Sequence, residues 1–423
     1  MATETAPPAA RGEANLRALA GQLEQHAGFS AVLSELAAGH GGTLGGVWGS
    51  SRALVAAALG RQCPGALVVV IPHARDIDKM CDDLALFTDR PALPLPAWEN
   101  DAGERVLHDE IFGQRLRALK RLAAAEGPPP IIVTAIQSVL QPVPSREALV
   151  GATRTIGVGD SVDAGEVTRW LAERGCTGTT AVELPGEFAL RGGILDVYPP
   201  DAEHPVRIEL FGDEVESIRT FDVATQRSLA AHDTLGVTVL QPSAVHRTHL
   251  VEYLPADSWV MLVEPTELEE EGRYYHQRLE RPEDVFATST ALKELYKFPS
   301  VTASGVPAGS YETTAHLQFE SIEQFSGDVA RVKKELDAAA TDQDVILACD
   351  NAAEAERLVE VFAETQLARD GRLHFVTGRL AAGFRMIPPS LAERGRGRDS
   401  ADSVMDDAQS LKRVTGDERS EPP

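Results

Sequence analysis

The chain has 423 residues, 43% hydrophobic and 25% charged, which is too long for one core and suits a soluble protein of two to four domains. Its 64 acidic residues against 40 basic ones give a formal charge of −24, which argues against a general affinity for nucleic acid and favours a protein partner. Apolar runs such as 66–72 and 131–133 are strand-sized and fall far short of a membrane span.

The opening MATETAPPAARG lacks a basic-then-apolar leader, so residues 1–13 are expected to be a disordered tail and the chain cytoplasmic. Cys63, Cys81, Cys176 and Cys349 are scattered without metal-type pairing and read as structural thiols in a reducing compartment; no metal site is expected.

Residues 14–39 have helical spacing of Leu, Ala and Val and end in glycine. GTLGGVWGSSRALVAAALG then predicts a strand, a glycine-rich turn and a helix, the order in which backbone N–H groups can converge on a phosphate. In a phosphate-binding Walker A loop the second glycine admits the backbone, a lysine reaches the outer phosphates and a hydroxyl holds magnesium. Here Gly46 keeps the first glycine position and Gly49 and Ser50 lie in the loop, but Ser51, Arg52 and Ala53 replace the three groups that follow. Ala53 cannot ligand a metal, so catalytic use of ATP is not expected.

The run 66–72, an amphipathic helix from Ala74, PALPLPAW, a long helix within 103–127 and PPIIVTAIQSVL continue a βαβα rhythm. A parallel sheet covered by helices on both faces is predicted over 14–144. From about Ser145 to 242 the rhythm changes to short alternating strands, an inserted α+β domain.

Its most informative stretch is 186–228. Phe188, Leu190, Ile194, Val197, Val206, Ile208, Leu210, Val215, Ile218 and Phe221 alternate with polar residues, separated by the turn formers Gly192-Gly193, Pro199-Pro200 and Gly212-Asp213. Arg191, Arg207, Arg219 and Arg227 remain outside among carboxylates, as a solvated face or an interface would have them.

The α/β pattern returns over 243–312. The strand Trp259–Val263 ends at Glu264-Pro265, where a Walker B strand would offer Asp-Glu, and proline cannot activate a water. Tyr274, Tyr275 and His276 on the following helix could stack on a base or pack on a neighbour. A small α/β domain is predicted over 313–387, opening with the strand HLQFESI, and residues 388–423 are expected to be disordered.

LPAWEN (95–100), IFGQRLRALKRL (111–122), IIVTAIQSVLQPVP (131–144), GEFALRGGILDVYPP (186–200), RIELFGDEVESIRTFD (207–222) and TQRS (225–228) resemble the N-terminal part of the bacterial transcription-repair coupling factors (Mfd), including the module shared with the excision-repair protein UvrB. The resemblance spans roughly 14–386. It implies a degenerate motor-like, helicase-type parallel-sheet domain split by a UvrA-binding domain, followed by the small α/β domain. It also implies that Arg191, Arg207 and Phe211 contact UvrA, that no catalytic group or cofactor is used, and that the chain is a monomer with DNA engaged only weakly or indirectly.

WENDAGERVLHDE holds no tyrosine where UvrB carries its tyrosine-rich hairpin, so direct reading of damage is not expected. In full-length relatives an ATP- and magnesium-dependent translocase and an RNA polymerase-interacting domain follow, and beyond Gly383-Phe384 the resemblance stops, as in a fragment or truncated product. The alternatives are a residually ATP-dependent, UvrB-like DNA-binding protein and a DNA scaffold using Arg115, Arg117, Lys120 and Arg121.

Overall fold

The computed structural model describes residues 8–98, 107, 109–124, 127–240, 247–306, 313–322, 329–339 and 343–387. The expected tail over 388–423 lies outside them. Helices α1 (Pro8–Glu24) and α2 (Ala27–Ala37) precede β1 (Gly42–Gly45), α3 (Ser51–Gln62), β2 (Leu67–Ile71), α4 (Ile77–Phe87) and β3 (Ala92–Leu95). The helical run predicted as one over 14–39 begins already at Pro8, inside the expected tail, and breaks before His26, whose Nδ1 accepts the Phe29 N–H at 3.3 Å to cap α2. Next come α5 (Glu110–Ala124), β4 (Ile131–Ala135) and α6 (Ile136–Leu140).

The insertion follows, with β5 (Val143–Pro144), α7 (Arg146–Gly151), β6 (Thr153–Gly157), α8 (Ala164–Glu173) and β7 (Thr177–Gly178). A meander continues through β8 (Glu187–Arg191), β9 (Ile194–Val197), β10 (Val206–Phe211), β11 (Glu214–Phe221) and β12 (Ser228–His232). Strands β13 (Thr234–Thr238) and β14 (Arg247–Thr248) pair back on β6 and β5. The chain then resumes the first architecture with β15 (Trp259–Val263), α9 (Pro265–Arg278), α10 (Thr288–Leu295), β16 (Ser300–Ser304) and β17 (Thr314–His316). It ends in β18 (Phe319–Ser321), α11 (Val329–Ala339), β19 (Val345–Cys349), α12 (Ala352–Phe362), α13 (Gln366–Arg369), β20 (Leu373–Thr377) and β21 (Phe384–Met386).

Strands from both sides of the insertion form one seven-stranded sheet, ordered β17-β1-β16-β15-β2-β4-β3, in which every neighbouring pair is parallel. Both faces are buried, and alternate residues serve opposite cores. Val69, Val133 and Met261 point into the core under α3 and α4, while Val68, Ile132 and Val260 point into the one under α5, α6 and α10.

The opening of HLQFESI, predicted as the first strand of the small domain, pairs instead with β1. Ala315, Leu317 and Phe319 are buried in the larger core, so the edge beside β1 gains more from this segment than the two-stranded β19-β20 sheet could. Strand β20 is held by α1, which also packs on α3 and α4.

Helix α5 seats the inserted unit. Lys120 Nζ bonds Asp201 Oδ2 at 2.5 Å and the Gly236 carbonyl at 3.2 Å, and the Arg117 guanidinium reaches the Asp201 carbonyl at 3.5 Å. Arg121 donates to the Pro128 carbonyl at 2.6 Å, and Arg115 is buried, donating to the Pro96 carbonyl and the Ser138 hydroxyl, both at 2.6 Å. The four cations of α5 are thus turned onto the chain's own acceptors rather than gathered into one basic face.

Gly113 lets the helix approach so closely that a Cβ there would lie 2.4 Å from the Pro200 carbonyl oxygen. Helix propensity alone favours Ala over Gly by about 1 kcal/mol. The backbone clash opposes this and costs roughly 1–3 kcal/mol. Gly113→Ala is therefore expected to lower stability, read as an earlier urea midpoint; a later midpoint would show that the seat is loose.

Candidate functional site

Two places collect the residues that the sequence singles out. The first is the crevice at the carboxyl ends of β1, β15, β16 and β17, where open parallel sheets take their ligands. Residues 46–50 join β1 to α3 as predicted, with Gly46 at φ 73° and Gly49 at φ 46°.

Three of the loop's five amides, those of Gly46, Val47 and Trp48, are turned onto the protein itself. Gly46 N–H donates to the Gly305 carbonyl at 3.1 Å and Val47 N–H to the Ser304 carbonyl at 3.1 Å. Trp48 N–H donates to Ser51 Oγ at 2.9 Å, and that hydroxyl donates back to the Trp48 carbonyl at 2.6 Å. The N–H groups of Ser51, Arg52 and Ala53, the first of α3, donate to the carbonyls of Trp48, Gly49 and Ser50. An anion-binding nest requires those donors to be free.

The space above the loop is occupied as well. A Cβ on Gly46 would stand 2.0 Å from the Leu317 carbonyl, one on Gly49 would stand 3.0 Å from the Ala382 methyl, and the Trp48 ring lies against Gly305. Ala382 N–H donates to Ser50 Oγ and Ala381 N–H to Asp83 Oδ1, both at 2.8 Å. Burial pushes the Asp83 carboxyl up.

Arg52, at the lysine position, donates Nη2 to Glu264 Oε1 at 2.7 Å, and the same oxygen accepts Gly305 N–H at 3.0 Å. Glu264 sits at φ 50°, ψ 69°, immediately before α9, with Pro265 opening the helix. A side chain there is strained, and the cost is offset by the ion pair and the amide bond. Tyr275 packs on the core beneath α5 and α6, and its hydroxyl accepts from Gln141 Nε2 at 2.6 Å, whereas Tyr274 is exposed.

Among the described residues no group of three or more His, Cys, Asp or Glu side chains could hold a metal ion. Burial pushes the thiol of Cys63 up to about 11 and those of Cys81 and Cys176 up to about 12, which leaves them protonated and unreactive at neutral pH.

The second place is the insertion's six-stranded sheet, ordered β12-β11-β10-β9-β8-β7 and antiparallel except for β7 on β8. Leu195, Val197, Val206, Ile208, Val215 and Ile218 cover one core with α8. The register aligns the other face in rows, Arg191–Ile194–Glu209–Ser217 and Ala189–Asp196–Arg207–Arg219–Ala231. Alternation along β10 puts Phe211 on this same outer face, four residues or about 13 Å beyond Arg207, at the hairpin tip where Gly212 turns with φ 64°.

Arg191, Arg207 and Phe211 therefore share one face but differ in freedom. Phe211 is 80% exposed. Arg191 is more than half exposed and donates to Asp196 Oδ2 at 3.2 Å. Arg207 is mostly covered: Nε and Nη2 grip Asp196 Oδ1 and Oδ2 at 2.7 and 2.9 Å, and its Cζ lies 4.5 Å from the ring centre of buried Phe221. The hydrogen bonds to Asp196 hold the Arg207 pKa above the usual guanidinium range.

Arg219 pairs with Glu209, whose carboxyl is held low first by the Ser217 hydroxyl and then by Arg219. Ile194 and Phe221, read from the alternation as core-side residues, lie instead on the arginine face. Asp196 and Gln226 were not singled out by the pattern. The signal that could have found Asp196 is a charge inside the apolar run of β9, directly opposite an arginine on β10.

Residues 155–240, which hold this sheet, match the UvrB interaction domain family. Among curated proteins the chain is similar to transcription-repair-coupling factors. It is 43% identical over 191 residues to that of Mycobacterium tuberculosis (strain CDC 1551 / Oshkosh), 44% of this chain and 15% of the relative. The corresponding figures are 34% over 196 residues for Bacillus subtilis (strain 168), 46% and 16%, and 28% over 193 residues for Escherichia coli (strain K12), 45% and 17%. The chain thus spans less than a fifth of the length of these relatives; it holds a segment similar to their N-terminal region, and its residues 155–240 match the UvrB interaction domain.

The strain at Glu264 can be separated from its ion pair. Both Glu264→Ala and Glu264→Gly lose the Arg52 contact, but only glycine accepts φ 50° freely. The glycine variant is expected to be the more stable of the two by roughly 1 kcal/mol in chemical unfolding. An alanine variant as stable as wild type would mean that the ion pair contributes nothing.

Proposed function

We propose that this chain acts in transcription-coupled repair as an adaptor that recruits UvrA through the outer face of the inserted sheet, without turning over nucleotide itself. The observation that carries the proposal is a coincidence of place. The UvrB interaction domain match covers the same strands that present Arg191 and Phe211 to solvent. An exposed aromatic and a guanidinium on one face have the composition of an interface anchor. The loop after β1 supports the second half of the proposal, since the amides of Gly46, Val47 and Trp48 and the crevice above them are taken up by the chain's own groups.

Titration of the chain against purified UvrA is expected to give saturable binding. Phe211→Ala and Arg191→Ala should each weaken it about 10-fold or more, with an unchanged unfolding midpoint in Phe211→Ala, whose side chain is exposed, and a small loss in Arg191→Ala, where Arg207 still pairs with Asp196. A double variant that binds like wild type would exclude this face as the contact. Calorimetry with ATP and magnesium is expected to show no binding heat; a saturable isotherm abolished by Arg52→Ala would refute the non-catalytic half.

A further inference from the structure

We propose that Asp196 and Gln226 are positioning residues of the recognition face. Together they fix the Arg207 guanidinium, and Asp196 also fixes Arg191, so that a partner protein bearing surface carboxylates meets two arginines already arranged. The inference deepens the proposed UvrA contact and rests on it.

Asp196 is 1% exposed, and a buried carboxylate is tolerated only when paired and hydrogen-bonded. Its two oxygens take three bonds, two from Arg207 and one from Arg191, and thereby tie β8, β9 and β10 together at their outer surface. Arg207 is further held between the Phe221 ring and Gln226 Oε1, which accepts from Nη2 at 3.1 Å. Among the described residues Arg207 Nη1 makes no hydrogen bond within the chain, so it is the guanidinium nitrogen offered outward.

Gln226 stands at φ 58°, a conformation that glycine adopts without cost and glutamine does not. Its Nε2 donates to the Val223 carbonyl at 2.9 Å, which aims Oε1 at Arg207. Backbone stability alone would select glycine in this turn, so the strained glutamine is accounted for by its grip on the arginine. On the two rows of the face three arginines (191, 207 and 219) stand against two carboxylates (196 and 209), and Glu187 on β8 and Glu214 opposite Phe211 add two more carboxylates to the same face, so its selectivity comes from where the guanidinium groups are held and not from an excess of positive charge. Two guanidinium groups held side by side suit the carboxylates of a partner, and pre-arranged groups lose less freedom on binding than mobile ones.

The test measures association and dissociation rates of the full chain on immobilised UvrA. Gln226→Gly is expected to dissociate about 5–10-fold faster with an unchanged association rate, while its unfolding midpoint equals or exceeds that of wild type because the turn is relaxed. A role in folding alone would not separate the two readouts. Asp196→Asn should shift dissociation in the same direction. Wild-type dissociation in Gln226→Gly, alongside weakened binding in Phe211→Ala, overturns this inference and leaves the UvrA contact standing. Absence of binding by the unsubstituted chain overturns both. Binding of the chain to duplex DNA that Gln226→Gly weakens would assign the arginines to phosphate and overturn the carboxylate partner.

Discussion

The ion pair between Arg52 and Glu264 joins residues 212 apart in sequence, one at the start of the helix after β1 and the other at the end of β15. Between them in the chain lies the whole inserted unit, and between them in space lies β16. The parallel sheet can close only if strands made before and after the insertion find a common register. The crevice at their carboxyl ends is where the two halves meet. With Glu264 also accepting the Gly305 amide, one carboxylate draws α3, β15 and the end of β16 together.

That closure gives the insertion a firm base. In the large sheet both faces are consumed by packing, whereas the six-stranded sheet of the insertion packs one face on its main core and has only a small apolar cluster, Val182, Ala189 and Phe221, on the other side. Its outer face is free to carry charge, and the charges there are organised by a buried carboxylate rather than left to solvent. A guanidinium gripped at two nitrogens and stacked on an aromatic ring behaves more like part of the scaffold than like a mobile surface side chain.

Much of this was legible in the sequence. The βαβα rhythm, the switch to short strands and the loop before Ser51 follow from periodicity and turn chemistry, whereas Phe211 was marked by the resemblance alone. What escaped was long-range register. Nothing local in HLQFESI distinguishes an edge strand beside β1 from the first strand of the small domain. Ile194 and Phe221 have apolar side chains in an alternating pattern, yet Ile194 is adjacent to core-side Leu195, and the extra residue Glu216 in β11 shifts the alternation after Val215, so that Phe221 falls in step with Arg219 on the arginine face. Arg115 looks like a surface cation on an amphipathic helix, and only the approach of Pro96 and Ser138 gives its guanidinium a buried place.

The contact between Gly113 and the Pro200 carbonyl has a mechanical side. A helix seated directly on another unit's backbone, with Lys120 bound to Asp201 beside it, narrows the room in which the insertion could rock. The insertion is therefore set on α5 by a close backbone approach, an ion pair and the Leu107 side chain shared by both cores, so that a change at any one of these contacts bears on the others.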